Sequence, residues 1–292
     1  MWKGVFGCHR LAPHRLRGDE TLSEQDWVPT GIDVSRPHPA RVYDYHIGGK
    51  TNYPVDRELA EKFIAVAPQT TVTALDNRAF LARAVRYAAE QGIDQFLDIG
   101  TGIPAPGNTH EIAQEVVPSA RVAYVDNDPI VLAHARALMP ATDKGRTGFT
   151  LGDVREPDKV LAAPEVRELI DFDRPVCVLL LGILHYVADD RDPAGIVARL
   201  LDAVPSGSLL ILSHTTSDFL PPISADSVLA VNDEAEFMLP RPHAQILPFL
   251  AGVELLEPGL VQAPLWHPDE DADLSPERLA QSWIYCAVGR KP

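Results

Sequence analysis

From Gly92 onward, short apolar runs alternate with stretches whose apolar residues recur at helical spacing. Gln95 to Ile99, Arg121 to Val125, Gly148 to Leu151, Val176 to Leu184 and Leu209 to Ser213 read as strands, being short, apolar and rich in β-branched residues. Helical patterns fall between them, at Asn108 to Val117, Ile130 to Leu138, about Pro164 to Ile170 and Ala194 to Val204. Strands joined through helices must run parallel, because each crossover returns the chain to the same end of the sheet, so the pattern predicts an α/β fold with a doubly wound sheet. The rest of the chain is less regular: a helix near Pro242 to Leu250, a strand at Val253 to Leu256 and a last strand at Trp283 to Val288. The last two are expected to pair as an antiparallel hairpin at one sheet edge.

Ahead of the sheet, two helical patterns are read between Pro54 and Glu90. Asp56 opens a run through Leu59, Lys62 and Phe63, and Asp76 opens a second in which Leu81, Ala84, Val85 and Ala88 recur. From Met1 to about Pro37 the chain mixes Gly, Pro, His and charge without periodicity, which predicts a mobile leader. The expected organisation is a leader over residues 1–32, an amino-terminal helical lid over 33–92 and a ligand-binding core over 93–292. No internal repeat is visible, and the acidic run Asp269 to Asp273 reads as a solvated loop.

Composition narrows the classes. With 292 residues and 46% hydrophobic positions, a sizeable core forms without staples. The net charge of −15 repels phosphate backbones and argues against nucleic acid as a partner. The longest apolar run, Val176 to Leu184, is too short for a membrane span, and the first thirty residues lack the apolar core of a secretory signal, so a cytoplasmic protein is expected. Cys8, Cys177 and Cys286 are far apart and form no metal or disulfide pattern; the last two are expected in the core. No cluster of His or carboxylates has metal-ligand spacing, so no metal is expected.

The chemistry concentrates where strands end. Phe96-Leu97-Asp98-Ile99-Gly100-Thr101-Gly102 runs an apolar strand into a glycine turn, the usual ligand position in a doubly wound sheet. A dinucleotide fingerprint would place a third glycine where Ala105 stands, and Asp98 would repel a pyrophosphate while attracting a cationic ligand. S-adenosylmethionine is such a ligand, carrying an amino group and a sulfonium but no phosphate. Asp126, ending the next strand, can accept both ribose hydroxyls, and Asp153, after the third, can accept from the adenine amino group. Each aspartate alone reads equally as a turn or helix cap; the three together with the glycine turn favour a nucleoside site. Asp128 reads as the N-cap of the following helix, and Asn108 with Glu111 as a capping pair.

The segments QFLDIGTGIPAPGN (95–108), AYVDNDPIVLAHAR (123–136), DFDRPVCVLLLGILHY (171–186) and EPGLVQAPLWHP (257–268) resemble a bacterial family of S-adenosylmethionine-dependent methyltransferases. The segment from His38 to Phe63, with Arg41-Val42-Tyr43-Asp44-Tyr45 and Gly48-Gly49-Lys50, matches that family's amino-terminal signature, and the likeness covers roughly residues 33 to 291. The resemblance implies a class I, Rossmann-like methyltransferase fold, a seven-stranded sheet of order 3-2-1-4-5-7-6 with strand 7 antiparallel. It carries Asp98, Gly100 and Gly102 to the methionine side of the cofactor, Asp126 to the ribose, and Asp153 with Val154 to the adenine; Thr101, Asn127 and Gly182 are further candidates for cofactor contact. It implies turnover of S-adenosylmethionine to S-adenosylhomocysteine but names no acceptor.

The acceptor side is less legible. Methyl transfer is an in-line displacement in which alignment does most of the work, and a hydroxyl acceptor gains further from a base. The fourth strand leads into Gly182-Ile183-Leu184-His185-Tyr186, which makes His185 the first candidate base; His214 has a similar position, and His110 and His134 read as structural. Asn/Asp-Pro-Pro-Tyr, the motif expected for nucleobase amino methylation, is missing after that strand, so a small-molecule acceptor is expected. Tyr43, Tyr45 and Lys50 are candidates for a lid over the acceptor, and Arg78 for a clamp on the cofactor carboxylate, with Thr215 to Pro242 expected to complete the acceptor side. Two alternatives stand beside the enzyme: a sensor that binds the cofactor or S-adenosylhomocysteine without turnover, and a nicotinamide-dependent oxidoreductase, since Asp126 follows Gly100 by 26 residues, near the roughly 20 of a dinucleotide site.

Overall fold

The computed structural model describes residues 33–138, 145–220, 226–228, 230–232 and 238–292; the expected leader, residues 1–32, lies outside them. Five parallel strands form the centre of the sheet: β1 (Gln95–Ile99), β2 (Arg121–Asp126), β3 (Arg146–Leu151), β4 (Cys177–Leu181) and β5 (Leu209–Thr215). Three antiparallel strands follow: β6 (Glu254–Leu255), β7 (Val261–Gln262) and β8 (Ile284–Arg290). The order is β3-β2-β1-β4-β5-β8-β6, with β7 also on β8. This is the implied order, with the expected seventh strand split off as β8 antiparallel to β5.

Two expectations are corrected at that edge. The sheet has eight strands, because Val261–Gln262 adds a two-residue strand too short to carry a period. The last strand and the Glu254–Leu255 strand do pair antiparallel at the edge, through Glu254↔Arg290 and Leu255↔Gly289, but not as a simple hairpin: β7 intervenes in the chain and also pairs with β8, and β8 lies between β5 and β6. The Val176 to Leu184 run does not stay extended either, since Gly182 at φ +61° ends the strand and Leu184–Tyr186 turns as a 3-10 helix.

Helices α4 (Thr109–Val116), α5 (Pro129–Leu138), α6 (Pro157–Ala162), α7 (Pro164–Leu169) and α8 (Pro193–Asp202) provide the crossovers. The caps behave as read: Asp128 Oδ1 accepts from the Ile130 N–H at 2.9 Å, and Glu111 closes a capping box on Asn108. Every residue of β1 is buried, as are Cys177 and Cys286.

Ahead of the sheet lie α1 (Pro39–His46), α2 (Pro54–Val66) and α3 (Gln69–Glu90). α3 begins seven residues before Asp76, the expected start, because its first turns are rich in threonine and valine, which mask a helical period. Asp76 is an interior residue paired with Arg278. The Gly48-Gly49-Lys50 turn is organised by Asp44, whose buried carboxylate accepts from the Thr51 N–H at 2.8 Å and Asn52 Nδ2 at 2.9 Å. A Cβ on Gly49 would fall on that carboxylate, whereas one on Gly48 would meet open space at a φ of +80°. Gly49→Ala is therefore expected to destabilise the protein by about 2–4 kcal/mol, and Gly48→Ala by about 1–2 kcal/mol through backbone strain alone. Thermal denaturation of the two variants checks that ranking.

Candidate cofactor and acceptor site

Parallel pairing sets the ends of β1, β2 and β3 side by side, with Ile99 opposite Val125 and Asp126 opposite Leu151. The chain fills the sheet outward from β1 through β2 and β3, then returns to β4 on the other side, so a topological switch point lies between β1 and β4. A cavity of about 390 Å³ opens there, within the roughly 300–1,000 Å³ of small-ligand sites. Asp98, Gly100, Thr101, Gly102, Asp126, Asn127, Asp153, Val154 and Gly182 all line it, as do Tyr43, Arg78 and His185.

Gly100 leaves β1 at φ +78°, and a Cβ there would stand 2.7 Å from Ile183. Gly102, at φ +71°, has no atom within 4 Å of where its Cβ would be, so the backbone is bare toward the cavity. Thr101 pins the turn by donating its hydroxyl to the Asp98 carbonyl at 3.1 Å.

The carboxylates differ in how they are held. Asp98 is buried and accepts from the Thr109 hydroxyl at 2.6 Å; burial pushes its pKa up to about 6. Asp126 accepts from the Gly102 N–H at 2.8 Å and the Asp128 N–H at 2.9 Å, one on each oxygen, and burial again raises its pKa. Neither has an ion-pair partner among the described residues. Asp153 is paired with Arg155, whose hydrogen bonds hold the carboxyl below the usual range. The Asn127 side chain also bonds Asp153. Two buried carboxylates without an ion-pair partner among the described residues are costly in the free protein, and a cationic, hydroxyl-bearing ligand would relieve that cost.

Arg78 is placed at the cavity, in the middle of α3 rather than at its start. Its Nη2 donates to the carbonyls of Pro106 at 3.0 Å and Gly107 at 2.9 Å, clamping the loop after the glycine turn. Tyr43 belongs to a relay of buried bonds: Gly182 N–H donates to Ser213 Oγ at 2.9 Å, Ser213 to Asn77 Oδ1 at 2.6 Å, Asn77 Nδ2 to Tyr43 at 3.3 Å, and the Tyr43 hydroxyl to the Ala74 carbonyl at 2.9 Å. The relay ties the ends of β4 and β5 to α3 and α1. Tyr45 and Lys50 do not line the cavity: the Tyr45 hydroxyl lies 3.1 Å from Glu61 Oε1, and Lys50 is exposed on the turn folded around Asp44.

His185 lines the cavity with Nδ1 accepting from the Thr215 N–H at 3.4 Å. That bond puts the ring proton on Nε2, and burial, His214 and Arg241 push its pKa well down. His214 is engaged at both nitrogens, by the Thr215 carbonyl at 2.6 Å and by Arg241 at 3.0 Å, and is structural. His110 bonds the Tyr124 hydroxyl at 2.8 Å, and His134 stands on α5; neither lines the cavity. Sequence reasoning missed His46, Asn77 and Arg155, which line the cavity, and Ser213, which is bonded to Asn77. Asn77 had a visible signal: Thr70, Thr73, Ala74, Asn77 and Leu81 lie on one helical face, and three of them are polar on a face turned inward.

A glycine turn and strand-end carboxylates around a switch-point cavity define a nucleoside-cofactor site on a Rossmann-like sheet. Residues 25–292 match the S-adenosyl methyltransferase family, and the chain belongs to it. It is similar to a DUF574 family protein from Streptomyces avermitilis, at 45% identity and a TM-score of 0.85 over 89% of this chain and 100% of that one. It is also similar to a protein from Thermobifida fusca provisionally assigned as a methyltransferase, at 40% identity and a TM-score of 0.83 over 91% of this chain and 99% of that one. No curated protein matches the chain. The protein is thus an S-adenosylmethionine-dependent methyltransferase. Among the described residues, no helix is long and apolar enough to cross a membrane.

Proposed function

We propose that this enzyme methylates a small molecule in the cytoplasm, with the cofactor laid across the ends of β1, β2 and β3 and the acceptor beneath α1, α2 and α3. Residues 33–92 form the cap in this reading, and 93–292 the core. The observation that carries it is the placement of Asp98 and Asp126, buried and without ion-pair partners among the described residues, around one cavity with the bare turn at Gly102. Asp98 receives the amino group, Asp126 the ribose hydroxyls, and Asp153, Asn127 and Val154 border the adenine. Bound there, the cofactor supplies an electrophilic methyl group on a sulfonium. The chain's part is alignment, contributing up to roughly 7–11 kcal/mol of the barrier. The acidic balance of the chain supports an acceptor other than nucleic acid.

Calorimetric titration with S-adenosylmethionine, S-adenosylhomocysteine and NADH tests the reading. Micromolar binding of the first two without the third is the expected result. Binding of NADH alone would overturn it.

A further inference from the structure

Helix α1 borders the proposed cofactor site directly. His38, Ala40 and Tyr43, at its start and within it, line the same cavity as Asp126 and Asn127 at the end of β2. The next residue, Asp128, is where the two parts meet: its Oδ2 lies 3.2 Å from His38 Nδ1 and 3.5 Å from Arg41 Nε. Arg41 Nε also lies 3.6 Å from Asp56 Oδ1 on α2, and Asp56 accepts from the His38 N–H at 2.9 Å. Arg41, Asp56 and Asp128 are all buried. His38 Nδ1 accepts from the Ala40 N–H at 3.3 Å as the N-cap of α1, so Arg41 supplies the cation for Asp128.

Each polar group of Asp128 faces a different neighbour. Its N–H donates to Asp126 Oδ1 at 2.9 Å, its Oδ1 accepts from the Ile130 N–H at 2.9 Å, and its Oδ2 is left for α1. The second oxygen of Asp126 accepts from the Gly102 N–H. A continuous run of contacts therefore leads from α1 through Asp128 and Asp126 to the glycine turn. Its first link is the weakest: Arg41 Nε and Asp128 Oδ2 have no hydrogen-bond partner among the described residues, so the pair is held by charge at 3.5 Å and not by an aligned bond. Buried charges attracted without such bonds regain little of their lost hydration, which leaves the docking of α1 sensitive to what binds beside it. A ribose on Asp126 would bind beside it, and a docked α1 would in turn keep water from the carboxylate–hydroxyl bonds, which strengthens them.

We propose that Arg41 and Asp128 are positioning residues for the cofactor: Arg41 docks α1 on Asp128, Asp128 fixes Asp126, and the docked helix and the ribose on Asp126 stabilise one another. Coupling of this kind is reciprocal, so the cofactor holds α1 down as much as α1 holds the cofactor in. Release of S-adenosylhomocysteine then requires the Arg41–Asp128 contact to open. This inference rests on the cofactor placement proposed above.

The test combines the dissociation rate of S-adenosylhomocysteine with hydrogen–deuterium exchange of residues 39–46, in the full chain and in Arg41→Gln, Asp128→Asn and the double variant. Asp128→Asn keeps the N–H on Asp126 and an oxygen for the Ile130 N–H, and removes only the charge that faces Arg41. Saturating S-adenosylhomocysteine is expected to slow exchange of α1 in the wild type by about tenfold, and adenosine, which carries the ribose without the amino acid, to slow it as well. Dissociation is expected to be about tenfold faster in each single variant and no faster in the double variant than in the faster single one, because both substitutions open the same contact. Melting temperatures are measured alongside, and if Arg41→Gln does not fold, Asp128→Asn decides on its dissociation rate and on its loss of protection. A pair that only stabilises the fold would lower the melting temperature and leave the dissociation rate and the protection of α1 unchanged, which would overturn the inference. Effects that multiply in the double variant, or protection by S-adenosylhomocysteine but not by adenosine, would overturn it too. Binding of S-adenosylhomocysteine without any protection of α1 would overturn it while leaving the methyl-transfer reading intact, and no binding would overturn both.

Discussion

Asp98→Asn is expected to raise the melting temperature of the free protein at pH 7.5 while reducing cofactor affinity by two orders of magnitude or more. Asp98 is 5% exposed, has no ion-pair partner among the described residues, and has its pKa raised by burial from 3.8 to about 6. An acid whose folded pKa lies above its unfolded value is destabilising when ionised. The protein therefore loses stability from this group as pH rises from about 4 to about 6, and the full penalty, on the order of 2–4 kcal/mol, is present at pH 7.5. Asparagine has the same shape, can still accept from Thr109, and carries no charge. Its melting temperature should exceed that of the wild type by roughly 5 °C at pH 7.5, and the gap should close at about pH 3.5, below both the folded and the unfolded pKa. Cofactor affinity should run the other way: the wild type weakens as pH falls through about 6, because the carboxylate proposed to receive the amino group is neutralised, and the variant stays flat and weak. Differential scanning at both pH values, with titrations alongside, checks the pair of effects. A variant less stable than the wild type at pH 7.5 would mean that the charge is already compensated in the free protein.

What the sequence disclosed and what it concealed follow from the range of the forces involved. The central strands, the glycine turn and the strand-end carboxylates are legible because each is set by a local rule: an apolar run of strand length, a residue free to take positive φ, a carboxylate where a parallel strand must stop. The start of α3 is concealed by its own composition, since Gln69-Thr70-Thr71-Val72-Thr73 has a weak helical signature and is held as helix by packing of Thr73 and Ala74 against the rest of the protein. That Lys50 and Tyr45 stand away from the cavity has a related reason. A Gly-Gly-Lys turn beside tyrosines resembles a ligand loop, yet Gly49 is there because the Asp44 carboxylate occupies the space of its Cβ, a contact that spacing alone cannot disclose. The APLWHP segment is likewise a packing element: Arg83 on α3 donates to the carbonyls of Trp266 at 2.9 Å and Ala263 at 2.8 Å, and Trp266 is fully buried. The lining of the cavity is likewise set by distant partners: the Ser213–Asn77 bond joins β5 to α3 across 136 positions, and the His185 tautomer depends on Thr215, 30 positions on.

Asp126→Ala separates the two ends of the proposed cofactor site. If Asp126 accepts both ribose hydroxyls, each charge-assisted bond contributes on the order of 1.5–3 kcal/mol, and their loss lowers affinity for S-adenosylmethionine and S-adenosylhomocysteine by roughly 10²–10⁴-fold. An asparagine at this position would not be conservative. Both oxygens already accept from backbone N–H groups, Gly102 on one and Asp128 on the other, so the amide must turn its NH₂ toward one of them. Free adenosine distinguishes this residue from Asp98, because it carries the ribose without the amino acid. Its affinity should fall steeply in Asp126→Ala and remain at the wild-type value in Asp98→Asn. An adenosine affinity unaltered by Asp126→Ala would remove the ribose from the end of β2, and the buried carboxylate would then serve only to hold the glycine turn and the start of α5. Loss in both variants would instead mean that Asp98 acts through the shape of the turn, since its Thr109 bond ties β1 to the first residue of α4.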